Sequence, residues 1–212
     1  EYLTNLANSN FEIWRKNNPN ADVDEFPVDG FNITANRPVF DIVKLNDISK
    51  DIISRNSAET CYQKLLNWAQ EFSGENVAYL EKDKDYVLKV LNIDREKEKP
   101  RKDIFKWSMV LDYYDYMFSA PKSYQIEEAD RKRFEEVLRS YKSHINLTDK
   151  DAWFGSIKDM AKELGYATDN KEYKLNKEKF KGNIAKVCEF LRVAVTGHKD
   201  SPDLFEIMSI LG

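Results

Sequence analysis

Cysteine is scarce. Cys61 and Cys188 are the only two in 212 residues, so no disulfide framework can be drawn, and thiols this far apart fit a reducing, cytoplasmic setting. His144 and His198 are the only histidines, so a structural zinc site would need both of them and both cysteines together, and no metal is expected. Seven glycines are scattered along the chain, and none falls in a GxxxxGK or GxGxxG phosphate loop. No apolar run approaches the length of a bilayer crossing, so no membrane association is expected. The opening Glu1-Tyr2-Leu3-Thr4-Asn5 has neither an initiator Met nor a basic, apolar leader. An excess of one charge sign is also missing: 33 Lys+Arg against 37 Asp+Glu give a net charge of −4. With no global field to draw in an anionic partner, DNA is not expected, and any nucleic-acid surface must be local.

What is present points to a folded helical protein. The chain is 42% apolar and 33% charged, with 4 Trp, 11 Tyr and 12 Phe, enough to build a buried core rather than a charged tail. Few Gly and Pro beside many Lys, Glu, Leu and Ala favour helices, and the periodicity agrees. Tyr62, Leu65, Leu66, Ala69 and Phe72 share one helical face, as do Ile184, Val187, Cys188, Leu191 and Val195. Leu204, Ile207, Met208 and Leu211 repeat the pattern, with Ser201 expected as N-cap, Pro202 as first helical residue and Asp203 beside the positive end. The expected class is all-α, in three sections: 1–58, which opens with a helical run through Trp14; 59–120; and 121–212. The last section is expected to hold helices near 127–142, 149–165, 177–196 and 202–211. Val39 to Leu45 reads as a short extended piece, the one departure from helix.

Catalytic chemistry is hard to place. Asp112 and Asp115 stand at helical i,i+3 spacing and could form an acid/base pair, but two such carboxylates more often make a solvated face. Both histidines lie beside polar positions, and Cys188, on an apolar stripe, reads as a small core hydrophobe. No catalytic residue is assigned. Charge is more informative: 95–106 holds six basic and three acidic residues, 169–199 eight and four, while 1–60 is acidic by four. Cationic stretches with nearby aromatics are what an unpaired RNA loop needs, cations for its phosphates and flat groups for its bases. The bland alternative is an all-helical protein-interaction module whose lysines only solubilise it.

The C-terminal stretch Leu191-Arg192-Val193-Ala194-Val195-Thr196-Gly197, followed after a polar turn by Ser201-Pro202-Asp203-Leu204-Phe205-Glu206-Ile207-Met208-Ser209-Ile210-Leu211-Gly212, is more specific. It resembles the closing motif of bacterial glutamyl-tRNA synthetases, roughly LRvAlTG and then (S/T)P-x-LFEIM-x-LG. Phe40-Asp41-Ile42-Val43-Lys44-Leu45 is similar to the family's FD-x-x-KL element, Lys99-Pro100-Arg101-Lys102-Asp103-Ile104 to the basic turn of its first anticodon-binding bundle, and Asp151-Ala152-Trp153 to a helix start in its second. The chain departs from the family at Asn46-Asp47-Ile48-Ser49, where many members have an aromatic-Asn pattern, and no stem-contact residue is assigned.

The resemblance implies the C-terminal, anticodon-binding half of a class I aminoacyl-tRNA synthetase: a stem-contact-like segment followed by two helical bundles. The HIGH- and KMSKS-like motifs of the catalytic half do not occur in the chain, which is expected to begin just past the latter. The parent would join glutamate to tRNA-Glu with ATP and Mg²⁺, while this part needs no cofactor, acts as a monomer and grips the anticodon loop of tRNA-Glu. Four positions match the family's anticodon contacts: Arg101, Arg192, Ser201 and Leu204. Arg101 can offer two parallel hydrogen bonds that a lysine cannot copy, and it leans towards a parent that discriminates tRNA-Glu from tRNA-Gln. Arg192 could otherwise be a surface ion-pair partner, Ser201 a plain N-cap and Leu204 a core residue.

Overall fold

The computed structural model describes residues 11–21, 25 and 41–212. Among these residues helices are the only regular elements, the one β-type pairing being a single parallel bridge between Ala167 and Asn183. No described helix is long and apolar enough to cross a membrane. The chain divides into two compact units, one of residues 1–56 with 102–106, the other of 57–101 with 107–212.

In the smaller unit, residues 11–17 are helical, in keeping with the expected run through Trp14. Its main described element is α1, Ile42–Arg55. Asp41 caps it by accepting from the Val43 and Lys44 N–H groups at 3.0 and 3.1 Å. This corrects the expected extended piece at Val39–Leu45: residues 42–45 are the first turn of α1, because the Asp41 carboxylate satisfies N–H groups that the β-branched run alone would not organise. Residues 39 and 40 lie outside the described set. Lys102 reaches Asp51 of α1 at 2.6 Å, and that contact first, aided by Arg55, holds the Asp51 carboxyl below its ordinary range.

The larger unit begins with α2 (Ala58–Phe72), α3 (Glu75–Lys82) and α4 (Lys84–Asn92). Ser57 and Asp83 cap α2 and α4 through their side chains, as residues of this type do. Tyr62, Leu65 and Ala69 are buried as the α2 stripe predicts, but Phe72 is 66% exposed, since the stripe runs out where the helix ends. A short α5, Val110–Tyr113, follows a 3₁₀ turn. Asp112 lies in α5 whereas Asp115 opens a separate 3₁₀ turn, so the helical spacing that would pair them is broken at Tyr114.

A second group of helices packs α6 (Arg131–Tyr141), α7 (Lys150–Glu163) and α9 (Ile184–Thr196) around Val137, Ile157, Met160, Val187 and Phe190, all fully buried. The short α8, Asn170–Leu175, lies between α7 and α9. One pair of polar atoms inside this core is matched, Trp153 Nε1 donating to the Tyr141 hydroxyl at 2.9 Å, while the buried Tyr166 hydroxyl has no hydrogen-bond partner among the described residues. The C-terminal α10, Leu204–Leu211, starts later than expected. Its N-cap is Asp203, accepting from the Glu206 N–H at 3.1 Å; Ser201 is not the cap, because its hydroxyl is spent on Arg192 and on the Pro202 carbonyl.

Candidate nucleic-acid interface

Two turns of the larger unit bring the basic candidates together. The first follows α4. Asp94 takes a left-handed backbone (φ 60°), buried, with its N–H donating to Glu206 at 2.9 Å and its carboxylate accepting from the Asp203 N–H at 2.7 Å. Lys97 closes this knot by pairing with Asp94, with Asp203 at 3.2 Å and with Glu206 at 3.3 Å. Burial works against the Lys97 charge, but the Asp94 and Asp203 carboxylates outweigh it and hold the ammonium well above the usual lysine range. The acidic trio at the start of α10 is therefore already filled by a lysine. It anchors residues 94–97 to the C-terminal helix.

The second turn follows α9. Gly197 ends that helix at φ 79°, donating to Val193 O at 2.8 Å, and a Cβ there would lie 2.7 Å from the Ser123 carbonyl. Only glycine fits so close an approach. The chain then runs through His198, Lys199 and Asp200 on the surface to Ser201, which is buried. Between these turns Arg101 Nη2 donates to Asp200 Oδ2 at 3.3 Å, and Asp200 is 86% exposed. Arg192, on the last turns of α9, donates from Nε to Ser201 Oγ at 3.0 Å and makes no ion pair among the described residues. The surface ion-pair alternative for Arg192 thus finds no partner.

Arg192 and Ser201 therefore fall on one stretch, 192–201, which Arg101 meets through its contact with Asp200. Arg101 is exposed and Arg192 half-buried, whereas Ser201 and Leu204 are both buried, at 4%, and Leu204 belongs to the core with Phe190 and Trp153. Several cations that raise the local charge in the sequence are already paired, among them Lys97, Lys102, Lys181 with Glu136, Lys186 with Asp130 and Lys199 with Glu127. The local excess of lysines overstates the positive surface, and the unbalanced cation in the 192–201 stretch is Arg192.

A cavity of roughly 430 Å³ opens beside this stretch, lined by Tyr113, Tyr116, Asp112, Gln125, His198 and Asp200, with Ser201 and Met109 at its edge. Gln125 was not a candidate from the sequence, and His198 was set aside as a polar surface residue. Gln125 lies 73 positions from His198, and no local pattern announces so distant a contact. Cys188 packs against the core, in keeping with its reading as a small hydrophobe, and burial pushes both the Cys61 and Cys188 thiols up.

Comparison gives the class: residues 60–212 match the anticodon binding domain, and the chain belongs to that family. Among curated proteins it is similar over its whole length to the glutamate–tRNA ligase of Clostridium perfringens (strain 13), 40% identical over 225 aligned residues, and to that of Acetivibrio thermocellus, 38% identical over 216. The Sorangium cellulosum glutamate–tRNA ligase is 37% identical over 221. The chain spans 40% of the length of the first two and 38% of the third. No solved structure matches it.

Proposed function

We propose that this chain is the tRNA-holding part of a cytoplasmic, monomeric glutamate–tRNA ligase, which attaches glutamate to tRNA-Glu using ATP and Mg²⁺ in a separate catalytic region, and that the chain itself reads the anticodon loop. The observation that carries the reading is the meeting of Arg101 with the 192–201 stretch of α9 and its following turn. A guanidinium on a screened surface pair can exchange its carboxylate for a phosphate or a base edge at little cost. In this reading Arg101 and Arg192 contact the loop, Ser201 aims the Arg192 guanidinium, and Leu204 supports the turn from the core. Residues 59–120 and 121–212 are the two bundles that carry the contacts, and 1–58 is the stem-facing segment.

The test is binding of tRNA-Glu and of anticodon-swapped tRNA by the 212-residue chain, with salt as a variable. Cognate affinity should fall as salt rises, since each neutralised phosphate releases counterions. Arg101→Ala or Arg192→Ala should weaken cognate binding by about 1–3 kcal/mol and leave the swapped tRNA less affected, as expected for base-edge contacts. Equal affinity for both tRNAs in the unaltered chain removes the reading role and favours a protein-interaction module.

A further inference from the structure

We infer that the cavity beside the 192–201 stretch seats one unstacked base bearing an exocyclic amine, and that Gln125 sets its preference by fixing which nitrogen of His198 carries a proton. The inference rests on the proposed reading of an RNA loop, and extends it to residues that reading does not use.

The argument starts from the Gln125 amide. Its Oε1 accepts from the Lys199 N–H at 3.0 Å, and a backbone N–H can only donate, so the oxygen end of the amide is identified. The opposite end, Nε2, lies 3.3 Å from His198 Nδ1. An amide nitrogen also can only donate, so Nδ1 must accept and the imidazole proton resides on Nε2. Gln125 is held in turn by its own backbone, its N–H donating to Gly197 O at 2.9 Å. The loop entering α6 and the turn leaving α9 are thus stitched around the imidazole. With Nδ1 accepting, His198 presents one N–H donor, Nε2, which has no hydrogen-bond partner among the described residues.

The remaining lining supplies the other half of a base edge. Asp112 and Asp200 contribute carboxylates, which only accept. Tyr113 and the largely buried Tyr116 bring aromatic rings to the lining. An amine flanked by a ring or carbonyl acceptor, as on cytosine, meets a carboxylate with its amine and an imidazole N–H with its acceptor. Uracil carries a carbonyl in place of that amine and would turn it towards a carboxylate. The site therefore discriminates between amine and carbonyl, whereas the arginines alone supply only donors.

The test uses the whole chain and an anticodon stem-loop RNA in which each loop base in turn is replaced by its deaminated counterpart, followed by fluorescence anisotropy. The unaltered chain should lose about tenfold at one amine-bearing position, the low end of a good base-edge contact. Gln125→Leu should bind the parent RNA more weakly and lose that discrimination. Gln125→Glu keeps the acceptor for Lys199 N–H but accepts from Nδ1–H, so Nε2 becomes an acceptor or the ring becomes charged, and the amine preference should shrink or invert with the fold intact by circular dichroism. A merely structural Gln125 would lower affinity at every position alike. Amine discrimination unchanged in Gln125→Glu overturns the inference while leaving the RNA reading standing; failure of the unaltered chain to bind any stem-loop overturns both.

Discussion

At the scale of single residues, the buried polar groups matter most where they meet backbone. Asp94 accepts from the Asp203 N–H, and its own N–H donates to Glu206, in a left-handed conformation that Asn tolerates and Ala does not. Asp94→Ala should therefore cost about 2 kcal/mol, from an orphaned N–H and backbone strain, and Asp94→Asn appreciably less; urea midpoints of the two variants check the order. Thiol chemistry offers a second check. Because burial pushes both the Cys61 and Cys188 thiols up, a thiol-reactive disulfide should label the native chain slowly and the urea-unfolded chain rapidly.

At the scale of elements, the helical stripes were legible in the sequence, and the ends of the helices less so. The stripe of α9 is buried at Ile184, Val187 and Leu191, with Cys188 and Val195 packed against the same core, because a 3.6-residue period survives any tertiary arrangement. The starts of α1 and α10 were misread for one reason: capping depends on which oxygen is free. Asp41 is free and begins a helix inside a β-branched run, whereas Ser201 is taken by Arg192 and yields the cap to Asp203. Of the candidate site, Arg101 and Arg192 could be singled out by motif, but Gln125 could not, since its role exists only through Gly197 and Lys199 far along the chain. Gly197 shows how closely those elements are fitted. Gly197→Ala places a Cβ against the Ser123 carbonyl at φ 79° and should lower stability by about 2 kcal/mol, read as a drop in thermal midpoint.

At the scale of the whole molecule, charge governs behaviour more through placement than through its total. Asp203 would be pushed up by burial, but Lys150, the Glu206 N–H and Lys97 outweigh this and hold it below the ordinary carboxylate range. Asp130 is lowered chiefly by its hydrogen bond from Lys186. Groups depressed in the folded state add stability that is complete above their unfolded value, about 4, and that is lost as pH falls through the folded one. Thermal midpoints should accordingly be level near neutrality and drop below about pH 4, and Asp203→Asn should flatten that acid limb.

The stretch from Asp94 to Arg101 is moored at both ends to the same short region of the chain, by Asp94 to Asp203 and Glu206 and by Arg101 to Asp200. A segment pinned twice behaves as a ruler: its residue count, more than its composition, determines where the guanidinium lands. Exchanging the side chains of Glu96 or Glu98 should pass almost unnoticed, while deleting one residue between the moorings would leave the fold standing and its arginine out of reach.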